Sequence, residues 1–205
     1  MRLSYSLGSI LTIEQVLECA KKLNEFKPDT IWIPETWGME NFSMLSLVSR
    51  ENNFSKIGSS IINIYSRSPS LIAMGAATAD TISNGRLILG LGTSSQPIVE
   101  NFHGYEFEKP VKRMEEYVEI IRLIFSGKTI NYSGDIFSLK DFSLLIKPPR
   151  NEIPIYLAAV NQKMVELAWK IADGVIFYLR PKNDIKPLLS KMQNQRKIDA
   201  SIQII

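Results

Sequence analysis

Two kinds of apolar pattern alternate along the chain. In one, apolar residues run on or skip every second position, as in a strand; in the other they recur at every third or fourth position, as on one face of a helix. Leu3 to Leu7 alternates and stops at Gly8. Thr12-x-x-Gln15 has the form of a capping box and opens a helix with Val16, Leu17, Ala20 and Leu23 on one face, ended by Pro28-Asp29. Thr30 to Ile33 reads as a strand, stopped by Pro34, and a helix follows from about Phe42 to Glu51. Lys56 to Ile62 reads as a third strand. Pro69 then occupies the first turn of a helix that ends at the left-handed cap signal Asn84-Gly85. Leu87-Ile-Leu-Gly-Leu-Gly92 is an unbroken apolar run, typical of a strand buried on both faces. Pro110 opens the longest helix, with a stripe of Val111, Met114, Val118, Ile121 and Phe125. A strand at Ile153 to Leu157, a helix carrying Val165, Ala168, Ile171 and Ala172, and a strand at Gly174 to Tyr178 come next. A basic helix from about Asn183 to Lys197 and a seventh strand at Ser201 to Ile205 complete the pattern.

Strand starts recur about every 21 to 30 residues, with one longer gap. Strand–helix alternation at that spacing means parallel strands joined by crossovers. Six such units and a seventh strand exceed a small doubly wound domain and fit a (β/α)8 TIM barrel that is incomplete. The expectation is one domain over residues 1–205, truncated at its C-terminal end. Tyr132-Ser-Gly-Asp-Ile-Phe137, in the longer gap, carries a hairpin turn and predicts a β-hairpin excursion before the fifth barrel strand. The sheet should curve like a barrel yet stay open between its first and last strands. Leu3 and Ile204 should then be more exposed than their chemistry suggests, and the protein should pair with a second copy, as a homodimer.

Composition narrows the function classes. The chain is 45% hydrophobic and 22% charged with a net charge of +3, so nothing calls for nucleic acid or a membrane surface. The single Cys19 forms no disulfide within the chain, and no leader or bilayer-spanning run is visible, which reads as cytoplasmic. With one histidine, a His-rich metal site is excluded and none is expected. There is no P-loop and no G-x-S-x-G, and Gly90-Leu-Gly92 is not completed to G-x-G-x-x-G.

In a βα barrel the active site lies at the C-terminal ends of the strands. That rule selects the segments after each strand: Pro34 to Gly38, Asn63 to Pro69, Gly92 to Gln96 running on to Glu100 and His103, Ala158 to Asn161, and Leu179-Arg180. They offer small residues, backbone amides, a carboxylate and aromatics. Such a set positions a redox cofactor and leaves the chemistry to it. Arg67 precedes a helix N-terminus, which disfavours a cation, so it should have a specific acceptor.

Ile62-Asn-Ile-Tyr-Ser-Arg-Ser-Pro69, followed by Ala76-Ala-Thr-x-Asp80-x-Ile-Ser-Asn-Gly-Arg86-Leu-Ile-Leu-Gly-Leu-Gly-Thr-Ser94, strongly resembles the luciferase-like F420-dependent oxidoreductases. Ile31 to Glu35, Trp37-Gly38, Phe102-His103-Gly104, Ile153 to Ala159 and Ile171 to Val175 extend the match in order over nearly the whole chain. The resemblance implies the deazaflavin F420 as cofactor, with FMN as the alternative, and hydride transfer to or from a small organic substrate. A reduced-FMN monooxygenase and a non-catalytic flavin-binding paralogue are the competing readings.

Site roles follow from the same resemblance. A non-prolyl cis peptide bond is implied at Ser60–Ile61, backing the cofactor ring. Glu35 is placed at the ring edge to hold or relay a proton, or else to make a structural hydrogen bond at a strand end. Asn63, Thr93 and Ser94 would bond ring and ribityl oxygens, the last two otherwise being loop or capping residues. Ala158, Ala159, Val160 and Asn161 would lie along the cofactor's side chain, just before a helix N-terminus that favours phosphate. Val160 departs from the glycine often found there. His103 would take part in proton transfer or be structural, and Trp37 and Tyr65 would line the substrate pocket.

Overall fold

A computed structural model describes residues 2–8, 10–150, 152–178, 180–194 and 196–203. Seven parallel strands lie side by side: β1 (Ser4–Ser6), β2 (Thr30–Ile33), β3 (Lys56–Ser59), β5 (Leu87–Gly92), β8 (Ile155–Ala158), β9 (Gly174–Tyr178) and β10 (Asp199–Gln203). The two-residue β4 (Ile62–Asn63) pairs with the far end of β5. Helices α1 (Ile13–Phe26), α2 (Asn41–Glu51), α3 (Pro69–Ile82), α6 (Gln162–Ile171) and α7 (Lys182–Gln193) alternate with these strands. The link from β5 to β8 holds α4 (Gln96–His103), α5 (Pro110–Phe125) and the antiparallel hairpin β6 (Ile130–Ser133) with β7 (Ser138–Phe142).

Several boundaries differ from the sequence expectation: the strand expected from Ile153 begins at Ile155, and the basic helix expected to reach about Lys197 ends at Gln193. The third strand is broken into β3 and β4, with a cis Ser60–Ile61 peptide bond lying between them. The loop expected from Gly92 to His103 folds at its end into α4, whose first turn accepts Pro97 and whose end is capped by the left-handed Gly104. The last strand begins two residues early, at Asp199, and Ile204 and Ile205 lie outside the described residues. The capping box at Thr12 and the left-handed exit at Asn84-Gly85 are as expected.

Alternation along the strands sorts side chains into two cores. Ile31, Ile33, Ile57, Leu89, Leu91 and Val175 face the helices and are at most 1% exposed. Burying each such side chain contributes about 1.5–3 kcal/mol. The intervening positions face the barrel interior, where Trp32, Ile88, Tyr156 and Ile176 form a separate cluster. Glycines make room for its aromatics. A Cβ on Gly58 would lie 2.4 Å from the Trp32 ring, and one on Gly174 would lie 2.6 Å from the Tyr156 ring. The two rings meet at 5.8 Å.

Laid flat, seven strands would hold β1 and β10 roughly 29 Å apart, at about 4.8 Å per step. Instead Arg2, just before β1, pairs with Asp199 at the start of β10 at 2.8 Å. The sheet is therefore curled into an open barrel whose edge strands do not pair with each other but are tied by side chains at the N-terminal end. Leu3 is 66% exposed at that edge, as the open-sheet expectation requires.

Asp199 also accepts the Tyr156 hydroxyl at 2.6 Å. Burial works to raise its pKa, but the bonds from Arg2 and Tyr156 outweigh it, and the carboxyl titrates below its ordinary value. A group depressed in this way stabilises the fold above its ordinary pKa and loses that contribution as pH falls through the depressed one. Asp199→Asn is thus expected to be less stable than the parent at neutral pH, and the two should converge on acidification below the ordinary carboxylate range. Urea unfolding at stepped pH checks this; a gap that stayed constant would assign the tie to packing rather than charge.

The hairpin is clipped to α5 by one carboxylate. Glu116 is fully buried and accepts the backbone N–H groups of Asp135, Ile136 and Phe137 at 2.9, 3.2 and 3.0 Å. A second buried carboxylate, Asp80 on α3, accepts the Leu87 N–H at 3.1 Å and pairs with Arg150 at 2.7 Å. Together they tie the end of α3 to the start of β5 and to the segment entering β8.

Candidate active site

The C-terminal ends of the strands surround two adjoining cavities. The larger, about 760 Å³, lies over the barrel axis and is lined among others by Ser6, Ile61, Thr93, Ala158, Asn161 and Ile176. No charged side chain lines it among the described residues. The smaller, about 480 Å³, opens beside it among Glu35, Trp37, Glu40, Asn63, Arg67 and His103. Thr36, Ser60, Ile61 and Ser94 border both.

The wall between them is the turn from β3 to β4. It fits because β5 presents glycine on its inner face. A Cβ on Gly90 would lie 1.9 Å from the Ser59 carbonyl oxygen, and one on Gly92 would lie 2.6 Å from the Ile61 side chain. Ser59 Oγ accepts the Gly90 N–H at 2.7 Å and donates to its carbonyl at 2.9 Å, locking β3 to β5. Asn63 Oδ1 accepts the Tyr65 N–H, and among the described residues its Nδ2 is a buried donor without a partner. Ser60 Oγ is likewise buried and unpartnered. Unsatisfied buried polar atoms are costly, and these two stand where a ligand can satisfy them.

Glu35 follows β2, where Pro34 ends the ladder. Its carboxylate lines the smaller cavity together with Asn63, but it is not a free group. Arg67 donates to both its oxygens, at 2.6 and 2.8 Å, and the Asn41 N–H is 3.1 Å from Oε1. Arg67 also donates to Glu40 at 2.7 Å and to Ser66 Oγ at 3.0 Å. These are the acceptors its place before α3 demanded. The hydrogen bond to Glu35, above all, raises the pKa of the guanidinium. Glu40 caps α2 by accepting from Phe42 and Ser43. Burial works to raise its pKa, but those amides and Arg67 win and hold it below the ordinary value.

The structure brings most of the expected site residues together. Ser60, Ile61, Thr93, Ser94, Ala158, Val160 and Asn161 line the larger cavity; Glu35, Asn63, Trp37 and His103 line the smaller. Two do not join them. Tyr65 is 5% exposed and lines neither cavity: its ring stacks on Phe107, and its hydroxyl donates to the Glu108 carbonyl. Ala159 is 2% exposed, because alternation along β8 turns it away from the side Ala158 faces. Asn161 Oδ1 caps α6 by accepting from Met164. Thr36, Glu40, Met164 and Phe107 also line the cavities. Of these, only Thr36 and Glu40 had a signal, standing beside Glu35 ahead of a helix. Among the described residues no group of three His, Cys, Asp or Glu is placed to hold a metal ion, and no helix is long and apolar enough to cross a membrane.

Comparison with known proteins places the chain in a family. The family model for luciferase-like monooxygenases matches residues 2–203. The chain belongs to that family. This luciferase-like chain is 39% identical over 149 residues to the 5,10-methylenetetrahydromethanopterin reductase of Archaeoglobus fulgidus, covering 72% of the chain and 44% of that protein. It is 26% identical over 174 residues to the F420-dependent glucose-6-phosphate dehydrogenase of Amycolatopsis mediterranei, covering 78% of the chain and 52% of that protein. It thus spans about half the length of these curated relatives. An F420-dependent secondary alcohol dehydrogenase structure, holding an F420-acetone adduct, superimposes with a TM-score of 0.85 over 98% of the luciferase-like chain and 68% of its own, at 18% identity.

Proposed function

We propose that the protein is an F420-dependent oxidoreductase that passes a hydride between the deazaflavin and a small organic substrate. The observation that carries this reading is the larger cavity. It is of the size that holds a cofactor, uncharged among the described residues, and walled by Ile61 and Ile176 with hydroxyls of Ser6, Thr93 and Ser94 around them. A flat tricyclic ring with polar edges suits such a lining, and the backbone at 158–161 leads from it to the N-terminus of α6, which favours an anionic group. When bound, F420 supplies a carbon that gives or takes hydride. The chain's own part would be to back the ring at Ser60–Ile61, to offer hydrogen bonds from Thr93 and Ser94, and to bring the substrate alongside. The gain is mostly one of orientation.

Parallel fluorescence titrations of the purified chain with F420 and with FMN test the reading. F420 is expected to bind at least about tenfold more tightly, a difference of about 1.4 kcal/mol. Tighter FMN binding would favour a flavin monooxygenase. Binding of neither would end the cofactor assignment.

A further inference from the structure

The smaller cavity has a charge pattern that the proposed hydride transfer does not require. Two carboxylates, Glu35 and Glu40, and one guanidinium, Arg67, are its charged lining groups among the described residues, with His103 the one imidazole. A guanidinium in a cavity wall is ordinarily the feature that captures a phosphate or carboxylate. Arg67 is unable to do so. Its two terminal nitrogens carry four N–H groups, and four oxygen contacts already answer them: Glu35 twice, Glu40 once and Ser66 once. Its side chain is 13% exposed. An incoming anion would find no free terminal donor there and would approach two carboxylates, one with its side chain 11% exposed at Glu35 and one 47% exposed at Glu40.

The same wall does offer donors to a neutral oxygen. Asn63 is 5% exposed and its Nδ2 has no partner among the described residues; Ser60 Oγ, on the border with the larger cavity, has none either. A carbonyl or hydroxyl oxygen that reaches either would satisfy a buried polar group otherwise left bare, and a ligand lacking such an oxygen would leave it so. The volume, about 480 Å³, suits a small organic molecule rather than a second cofactor.

We propose that this side cavity is the substrate site and that it selects neutral or cationic alcohols and carbonyl compounds while rejecting phosphates and carboxylates. The proposal rests on the F420 oxidoreductase reading for the identity of the larger cavity, but its charge preference is measurable without the cofactor. The lining carries one net negative charge, since Arg67 is one cation shared between two carboxylates, bonding Glu35 twice and Glu40 once. Glutamine at position 40 would keep an oxygen to cap α2 and remove that charge. Thr36 is exposed on the border of both cavities, where a lysine would add a cation without disturbing packed atoms.

The test uses three probes of one carbon skeleton: sec-butanol, its terminal-amine analogue and its terminal-carboxylate analogue. Their binding to the full chain is read by ligand-observed NMR, with and without saturating F420. The alcohol and the amine are expected to bind at least about tenfold more tightly than the carboxylate. Glu40→Gln should narrow that ratio about threefold or more, and Thr36→Lys should raise carboxylate binding by a similar factor. A carboxylate bound as tightly as the alcohol would overturn the proposal. So would an unchanged ranking in both variants, or failure of all three probes to bind. Failure of F420 to bind, with the probe ranking intact, would instead overturn the cofactor reading and leave the charge selection standing.

Discussion

Gly90→Ala is expected to cost about 3 kcal/mol of stability and at least about a tenfold loss of cofactor affinity. The added methyl would lie 1.9 Å from the Ser59 carbonyl oxygen and 3.0 Å from Ile176 Cδ1. A side-chain tip can swing aside; the backbone carbonyl of Ser59, the last residue of β3, moves only if the end of that strand moves. Ser59 is also bound to Gly90 through its hydroxyl in both directions, so a shift of β3 away from β5 breaks those bonds too. The displacement passes directly to Ser60 and Ile61, the wall of both cavities. Gly38→Ala is the matched control: it borders the smaller cavity, but its added methyl would meet nothing within 4 Å, so its stability should stay within about 0.5 kcal/mol of the parent. Urea unfolding and the F420 titration measure both quantities. If Gly90→Ala lowers stability and leaves affinity untouched, the β3–β4 turn is not part of the cofactor site.

Asp80→Ala is expected to destabilise by about 3 kcal/mol, toward the lower end of what loss of one partner from a buried ion pair costs. Asp80 is fully buried, whereas the Arg150 side chain is 31% exposed and can turn part of its charge to water when the carboxylate is gone. The Leu87 N–H, at the first residue of β5, loses its acceptor at the same time. Asp80→Asn should recover part of the loss, since one oxygen remains for that N–H. Arg150 also donates to the Leu87 carbonyl. A loss under about 1 kcal/mol for Asp80→Ala would mean that this carbonyl bond alone holds the segment before β8.

Much of this architecture was legible because period and punctuation agree. Thr12 with Gln15, Pro69, Asn84-Gly85 and the Gly134-Asp135 turn each mark a boundary by a local mechanism, and the structure has helix or hairpin ends at each. The break at residues 60–61 was readable only through family resemblance. Pattern alone runs the third strand straight through, since Lys56 to Ile62 contains no proline and its one glycine faces Trp32. Helix α4 was missed because Thr93 to Gln96 resembles loop chemistry, and Ser95 makes no side-chain cap to announce the helix. At the site, strand-end position correctly grouped Glu35, Asn63, Ser94 and His103. It could not show that Glu35 is bound by Arg67, which lies 32 positions away and meets it only in the folded chain. Tyr65 illustrates the opposite failure: an aromatic residue in a site loop points inward to Phe107 and Arg113 rather than to the cavity.

The paired glycines and aromatics of the barrel interior restrict the order in which this protein can change. Gly58 exists in the shape left by Trp32, and Gly174 in the shape left by Tyr156. Any larger residue at 58 or 174 is blocked while its ring is in place, whereas a smaller side chain at 32 or 156 leaves only a void, which destabilises but can still fold. Divergence at these positions is therefore a ratchet with one open direction. The ring must shrink first, the glycine can grow second, and the intermediate between the two steps must survive on the stability the rest of the fold has to spare.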